Sequence, residues 1–147
     1  MNWRKWQAWA LRLTGAVELL ALPAAVMPRA WMDAAHGWLG LAELPRGPVV
    51  DSLLREVSFT YGLHGVGLWI IASDVARFRP LVVWTGIGYL LAGMAFVPIE
   101  LLVGLPWYWA LGNGGSCLAV GLVVLGLLWG EARARKAPAA TDAPPRS

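Results

Sequence analysis

Long apolar runs, broken at intervals by Pro, Gly and charge, organise this chain. Residues 80–99 and 101–130 hold no Asp, Glu, Lys or Arg, and 57–73 hold none of these and only His64. A helix needs roughly 20 apolar residues to cross a hydrocarbon core of about 30 Å. The pattern therefore predicts an all-α, transmembrane four-helix bundle. Its spans cover about 6–27, 49–73, 81–103 and 115–130, in one membrane domain reaching 136. Pro28 ends the first span, and the breaker PRGP (45–48) leads into the second. The tail 137–147 is rich in Pro and Ala with little to bury, and is expected to be disordered.

Between the first two spans, Trp31, Ala35, Trp38 and Ala42 recur at helical spacing, with Asp33 and His36 on other faces. This predicts a short amphipathic interfacial helix over about 29–42, after Pro28, with its rings at headgroup depth. Trp107 and Trp109, placed between the third and fourth spans, form the matching belt. Trp31, Trp38, Trp107 and Trp109 are thus expected to be interfacial anchors. Gly62, Gly65 and Gly67, then Gly86, Gly88 and Gly93, then Gly121 and Gly126, supply the small residues that let helices approach in lipid.

Composition supports this picture. Hydrophobic residues make up 58% of the 147 and charged residues only 14%, against roughly a quarter charged in soluble domains. The net charge of +3 does not form a patch suited to nucleic acid. Arg4, Lys5, Arg77, Arg79, Arg133, Arg135 and Lys136 fall at the ends of spans that would share one side. By the positive-inside rule both termini are cytoplasmic, in a multi-pass protein of the inner (plasma) membrane. A cleaved leader is the rival for the first segment, but Arg12 and Glu18 interrupt its apolar stretch. The single cysteine, Cys117, excludes an internal disulfide.

The chemistry lies in the polar residues inside the spans. A charge near the bilayer centre costs about 2.5 to 3.5 kcal/mol on insertion scales, so each needs a partner, water or a function. Glu18 sits well into the first span. Glu56, Thr60 and His64 fall on one arc of the second, where Asp51 and Arg55 are spaced to pair. Glu100 follows Pro98 near the outer end of the third. The expected cluster is Glu18, Arg55, Glu56, Thr60, His64 and Glu100, in the outer half of the bundle. It is either a structural network neutralised by Arg55, or a cavity open to the outside that binds a proton, a cation or a polar ligand. No nucleophile–base set, phosphate loop or metal-binding spacing is legible, so no catalytic residue, metal or cofactor is expected. GNGGS (112–116) reads as a turn opening the fourth helix, and Asp74 as a cap in the inner hairpin.

Three stretches, GAVELLALPAAVMPRAWM, LHGVGLWIIASDVARFRPL and GLPWYWALGNG, resemble a group of small, uncharacterised bacterial membrane proteins with four spans. More distantly the chain is similar to the DoxX-like small membrane proteins. The likeness covers about residues 9–130, and its DoxX-like part implies association with a respiratory or redox complex. Three function classes follow. The first expectation is an accessory or structural component of a membrane complex, with the lipid bilayer, other membrane subunits or a second copy as partners. The alternatives are a small transporter or ion path through the carboxylate cluster, and a membrane enzyme acting on a lipid or quinone.

Overall fold

The computed structural model describes residues 2–41 and 43–136. Every regular element among them is helical, with no strand among the described residues. Helix α1 spans Trp3–Leu19, capped by the Asn2 side chain accepting from the Lys5 amide at 3.2 Å. It tightens into a 3₁₀ turn at Leu22–Ala25, where Pro23 removes a backbone donor. Helix α2 runs Arg29–Trp38 behind Pro28. Helix α3 runs Pro48–Ser73, and its 26 residues extend about 39 Å. It starts at Gly47, whose φ of 151° only glycine adopts readily, followed by Pro48 in the first turn.

Helix α4 spans Arg79–Leu102 and contains Pro98. The short helix α5, Trp107–Ala110, leads through a π turn at Leu111–Gly115 directly into helix α6, Ser116–Lys136. In the hairpin between α3 and α4, the Asp74 carboxylate accepts from the amides of Ala76 and Arg77 at 3.2 and 3.0 Å. Local hydrogen bonding of this kind is why Asp favours such turns.

Three helical segments are long and apolar enough to cross a membrane: Trp3–Ala25, Arg79–Leu102 and Trp107–Lys136. Helix α3 has the length but carries too much polar chemistry in its opening turns to be counted with them. The surface is apolar, with Leu20, Val26, Leu102 and Trp129 among many large exposed side chains. That distribution suits lipid rather than water as the surrounding solvent.

Two close seams hold the bundle. In the first, α1 crosses α3 where Gly15 faces Gly65, and a Cβ added at Gly65 would lie 2.6 Å from the Gly15 carbonyl oxygen. In the second, α4 meets the α6 segment at Gly86–Gly121 and Gly93–Gly114, where a Cβ added at Gly121 would lie 2.9 Å from the Gly86 carbonyl oxygen and one at Gly93 2.6 Å from that of Gly114. Helix α1 also packs on α6, which joins the two pairs. A methyl group added at Gly67, Gly88 or Gly126 would have nothing within 4 Å, so these three lie off the seams.

Leu11, Leu68, Ala72, Val75, Val82, Val124 and Leu128 form the buried core. These residues lie toward the α3–α4 hairpin, the arginine-rich end of the bundle. The opposite half is looser, because α3 and α4 share no close seam beyond their hairpin.

Several boundaries differ from the sequence expectation. Helix α2 stops at Trp38 rather than near 42, and Ala42 lies outside the described residues, as does the tail 137–147. Trp107, Tyr108 and Trp109 are helical rather than part of a connector. GNGGS belongs to a π turn within a continuous helical segment rather than to a turn opening a new helix. The widened turn lets Gly114 seat against Val97, a contact that glycine's missing side chain permits.

Candidate functional site

Glu18 is the centre of the site. It stands on the last turn of α1, with its side chain only 10% exposed. One carboxylate oxygen lies 2.7 Å from Nδ1 of His64 on α3. The other accepts the hydroxyl of Tyr89 on α4. His64 and Tyr89 also face each other, with ring centroids 5.9 Å apart. Three helices therefore meet at one carboxylate. Tyr89 lies ten residues into α4, about 15 Å along its axis and near the middle of a helix long and apolar enough to cross a membrane.

The Gly15–Gly65 seam sets this geometry. One turn beyond Gly15 comes Glu18, and one residue before Gly65 comes His64. Close approach of the two backbones therefore brings their side chains within hydrogen-bond reach.

Two cavities meet at Glu18. One, of about 250 Å³, opens between α3 and α4 and is lined by Tyr61, His64, Trp84, Tyr89, Phe96 and Cys117. The other, of about 420 Å³, lies toward α1 and α6 and includes Thr14, Asn113 and Ser116. Glu18, Tyr61, Tyr89 and Cys117 border both. The first cavity follows from the missing α3–α4 seam, which leaves its side open.

The other residues of the expected cluster are bonded elsewhere. Arg55 gives its guanidinium to the carbonyls of Ala25 and Met27, at 2.9 and 3.1 Å. Among the described residues no ion pair joins it to a carboxylate, so the expected Arg55-neutralised network is not what forms. The end of the 3₁₀ turn offers unpaired carbonyls, and a planar guanidinium with five donors suits them. Nor does Asp51 pair with Arg55. Its partner is Arg29, which also bonds Asp33 at 3.0 Å and the carbonyls of Leu44 and Pro45 at 2.8 and 2.9 Å. The Asp33 hydrogen bond, with the nearby Asp51 charge, raises the Arg29 pKa further.

Glu56 is exposed and accepts from Ser52 at 2.5 Å, while Thr60 turns back to the Glu56 carbonyl at 2.8 Å. Glu100 accepts from Asn113 at 2.5 Å, and its second oxygen is buried without a partner. Of the six expected residues, the structure thus unites Glu18 and His64 and adds Tyr89. Trp31, Trp38 and Trp107 are strongly exposed, whereas Trp109 is half-buried. Tyr108 ties α5 to the end of α2 by donating toward the Leu39 and Gly40 carbonyls.

A second polar centre lies at the arginine-rich end. Glu131 is 5% exposed and accepts from Gln7, Arg4, Arg79 and Arg135. This joins the beginning of α1, the beginning of α4 and the end of α6. The sequence signal is the i,i+4 pair Glu131–Arg135 directly after an uncharged run, together with a lone amide at Gln7. Among the described residues no group of three His, Cys, Asp or Glu gathers as a metal site.

Comparisons with protein families, with curated proteins and with solved structures each give no match.

Proposed function

We propose that the chain is a four-span protein of the bacterial inner membrane, with both termini cytoplasmic. Its mid-depth cavity binds a small ligand with a hydrogen-bonding polar end, and Glu18 holds that ligand through a shared proton. One observation carries the reading. Glu18 is a nearly buried carboxylate in an apolar helical segment, held by a histidine and a tyrosine rather than by a fixed cation, where two cavities meet. A purely structural carboxylate in lipid is best served by an arginine, and Arg55 is spent on backbone carbonyls instead. The His64 imidazole can give or take a proton, and the Tyr89 hydroxyl can donate or accept a hydrogen bond, so the site tolerates a change in protonation that an arginine pair would resist.

The cavity suits a ligand arriving from the lipid phase. Its gap lies between α3 and α4, and Trp84 and Phe96 offer an apolar lining on either side of Tyr89 along α4. An open pore is less favoured, because Leu11, Leu68, Val82 and Val124 close the arginine-rich half almost completely. A transporter using Glu18 would have to part that core. An accessory subunit remains compatible with the cavity if the bound ligand belongs to a larger complex.

The reading is tested by mass spectrometry of small molecules released from protein purified in mild detergent. Wild type, Glu18→Gln and Glu56→Gln are compared. One species should fall about tenfold in Glu18→Gln, the loss of one good hydrogen bond to a charged group, and stay unchanged in Glu56→Gln. Equal recovery from all three proteins would sink the proposal.

A further inference from the structure

The surface of α1 near its amino end carries two adjoining depressions of opposite character. One is a polar recess of about 490 Å³ between α1 and the α3–α4 hairpin, lined by Arg4, Lys5, Arg12, Ser73 and Asp74 among others. The second is an apolar groove of about 690 Å³ between α1 and α6, lined by Trp6, Trp9, Leu13, Val123 and Leu127. Lys5 and Trp9 border both, so the recess and the groove meet along one edge of the helix. We infer that this pair is a binding site for an anionic phospholipid, with its phosphate in the basic recess and an acyl chain along the groove.

Charge complementarity identifies the occupant. Arg4 is committed to Glu131 at 3.2 Å, but among the described residues neither Lys5 nor Arg12 has a carboxylate within ion-pair distance. The one acid in the recess, Asp74, already accepts two backbone amides through one oxygen. Lys5 and Arg12 therefore outnumber Asp74, and the excess cation lacks a counterion. A phosphodiester supplies one, and basic residues beside a membrane-spanning helix favour anionic headgroups by this electrostatic term. The position of Arg12 is also fixed, since Trp69 donates to its carbonyl at 3.0 Å and locks the turn against α3.

The groove extends the match beyond the headgroup. Trp6 and Trp9 are 56% and 64% exposed and flank an apolar channel that runs along the helix from the recess. Indole rings at this depth pack along an acyl chain while their N–H groups stay near the headgroup region. A free phosphate would satisfy the recess but leave the groove empty. A zwitterionic lipid would fill the groove but bring its own cation to Lys5. The inference rests on the chain being a membrane protein, but not on the Glu18 cavity.

Electron spin resonance with spin-labelled lipids tests it, using the full chain in phosphatidylcholine vesicles. The motionally restricted fraction is measured for spin-labelled phosphatidylglycerol and for spin-labelled phosphatidylcholine. Wild type should prefer phosphatidylglycerol, and Lys5→Gln or Arg12→Gln should each lower the preference about fivefold. The control Arg133→Gln with Lys136→Gln removes two charges at the same end but outside the recess, and should leave most of the preference. Trp9→Ala should reduce the restricted fraction of both lipids. Equal restriction of the two lipids by wild type overturns the site, as does an equal loss in the control. Absence of a restricted fraction for either lipid overturns the membrane reading itself. Excess inorganic phosphate that abolishes the preference at constant ionic strength would show a headgroup site without an acyl component, and overturn the proposal as stated.

Discussion

Glu131 illustrates how one residue can hold three helix ends. Its carboxylate is buried, while Arg4, Arg79 and Arg135 have side chains 39% to 54% exposed. Solvent screening therefore weakens each pair, and the value of the site lies in the four donors converging on one acceptor. Glu131→Gln should cost about 2 kcal/mol of stability, read as a shift of the denaturation midpoint in detergent. Adding Arg79→Gln to that variant should cost much less than Arg79→Gln alone, because the pair is already broken. Fully additive losses would count against the network. Arg29 plays a similar part at the opposite end, and Arg29→Lys should free the segment after α2 to proteolysis, since one ammonium cannot reach two carboxylates and two carbonyls.

The same scale separates what is legible in the sequence from what is not. Glu18 and His64 stand out because charge in an apolar run demands a partner, and they do meet. Tyr89 does not stand out, because a tyrosine in a span usually needs no explanation. Arg55 promises a carboxylate partner, since sequence shows side chains and hides the unpaired carbonyls of a tight turn. Those carbonyls at Ala25 and Met27 win.

At the scale of the element, the glycines decide how near two helices come. Gly65→Ala would press a methyl group against the Gly15 carbonyl, and the nearest relief is to part α1 from α3. Such overpacking costs about 1 to 3 kcal/mol, and here it should also separate Glu18 from His64. Gly67→Ala, two residues along the same helix, meets nothing and should be neutral or slightly stabilising. Unfolding midpoints in mixed detergent would separate the two, and equal effects would remove the seam from the account. Composition points to glycine packing in α3, α4 and α6 but cannot choose among the candidates. Gly15 gives no signal because it stands alone in α1, with no second glycine to mark a close-packing face. The π turn is hidden for a related reason, as one extra residue in a turn leaves no compositional mark.

At the scale of the whole molecule, the number of crossings turns on α3. Three segments qualify by apolar length, and α3 falls short because of the polar residues in its first half. Yet much of that polarity is satisfied within the protein. Arg55 bonds carbonyls, Asp51 bonds Arg29, Ser58 bonds the Leu54 carbonyl at 2.7 Å, and His64 bonds Glu18. The Glu131 network adds a geometric constraint. It joins the start of α1, the start of α4 and the end of α6 at one end of the bundle. If α1 crosses away from that end, the chain must return before α4 begins, and α3 is the helix that joins the outer segment to the α4 hairpin. Its length of about 39 Å is ample for the return. Four crossings place residue 2 and residue 136 on one side, whereas three would place them on opposite sides. Reporter fusions at both ends test this, using a fluorescent protein that matures in the cytoplasm and a phosphatase active only outside it. Fluorescence with little phosphatase activity at both ends is the expected result. Opposite responses at the two ends would mean that α3 does not cross, and Glu18 would then meet His64 at a membrane surface rather than at its centre.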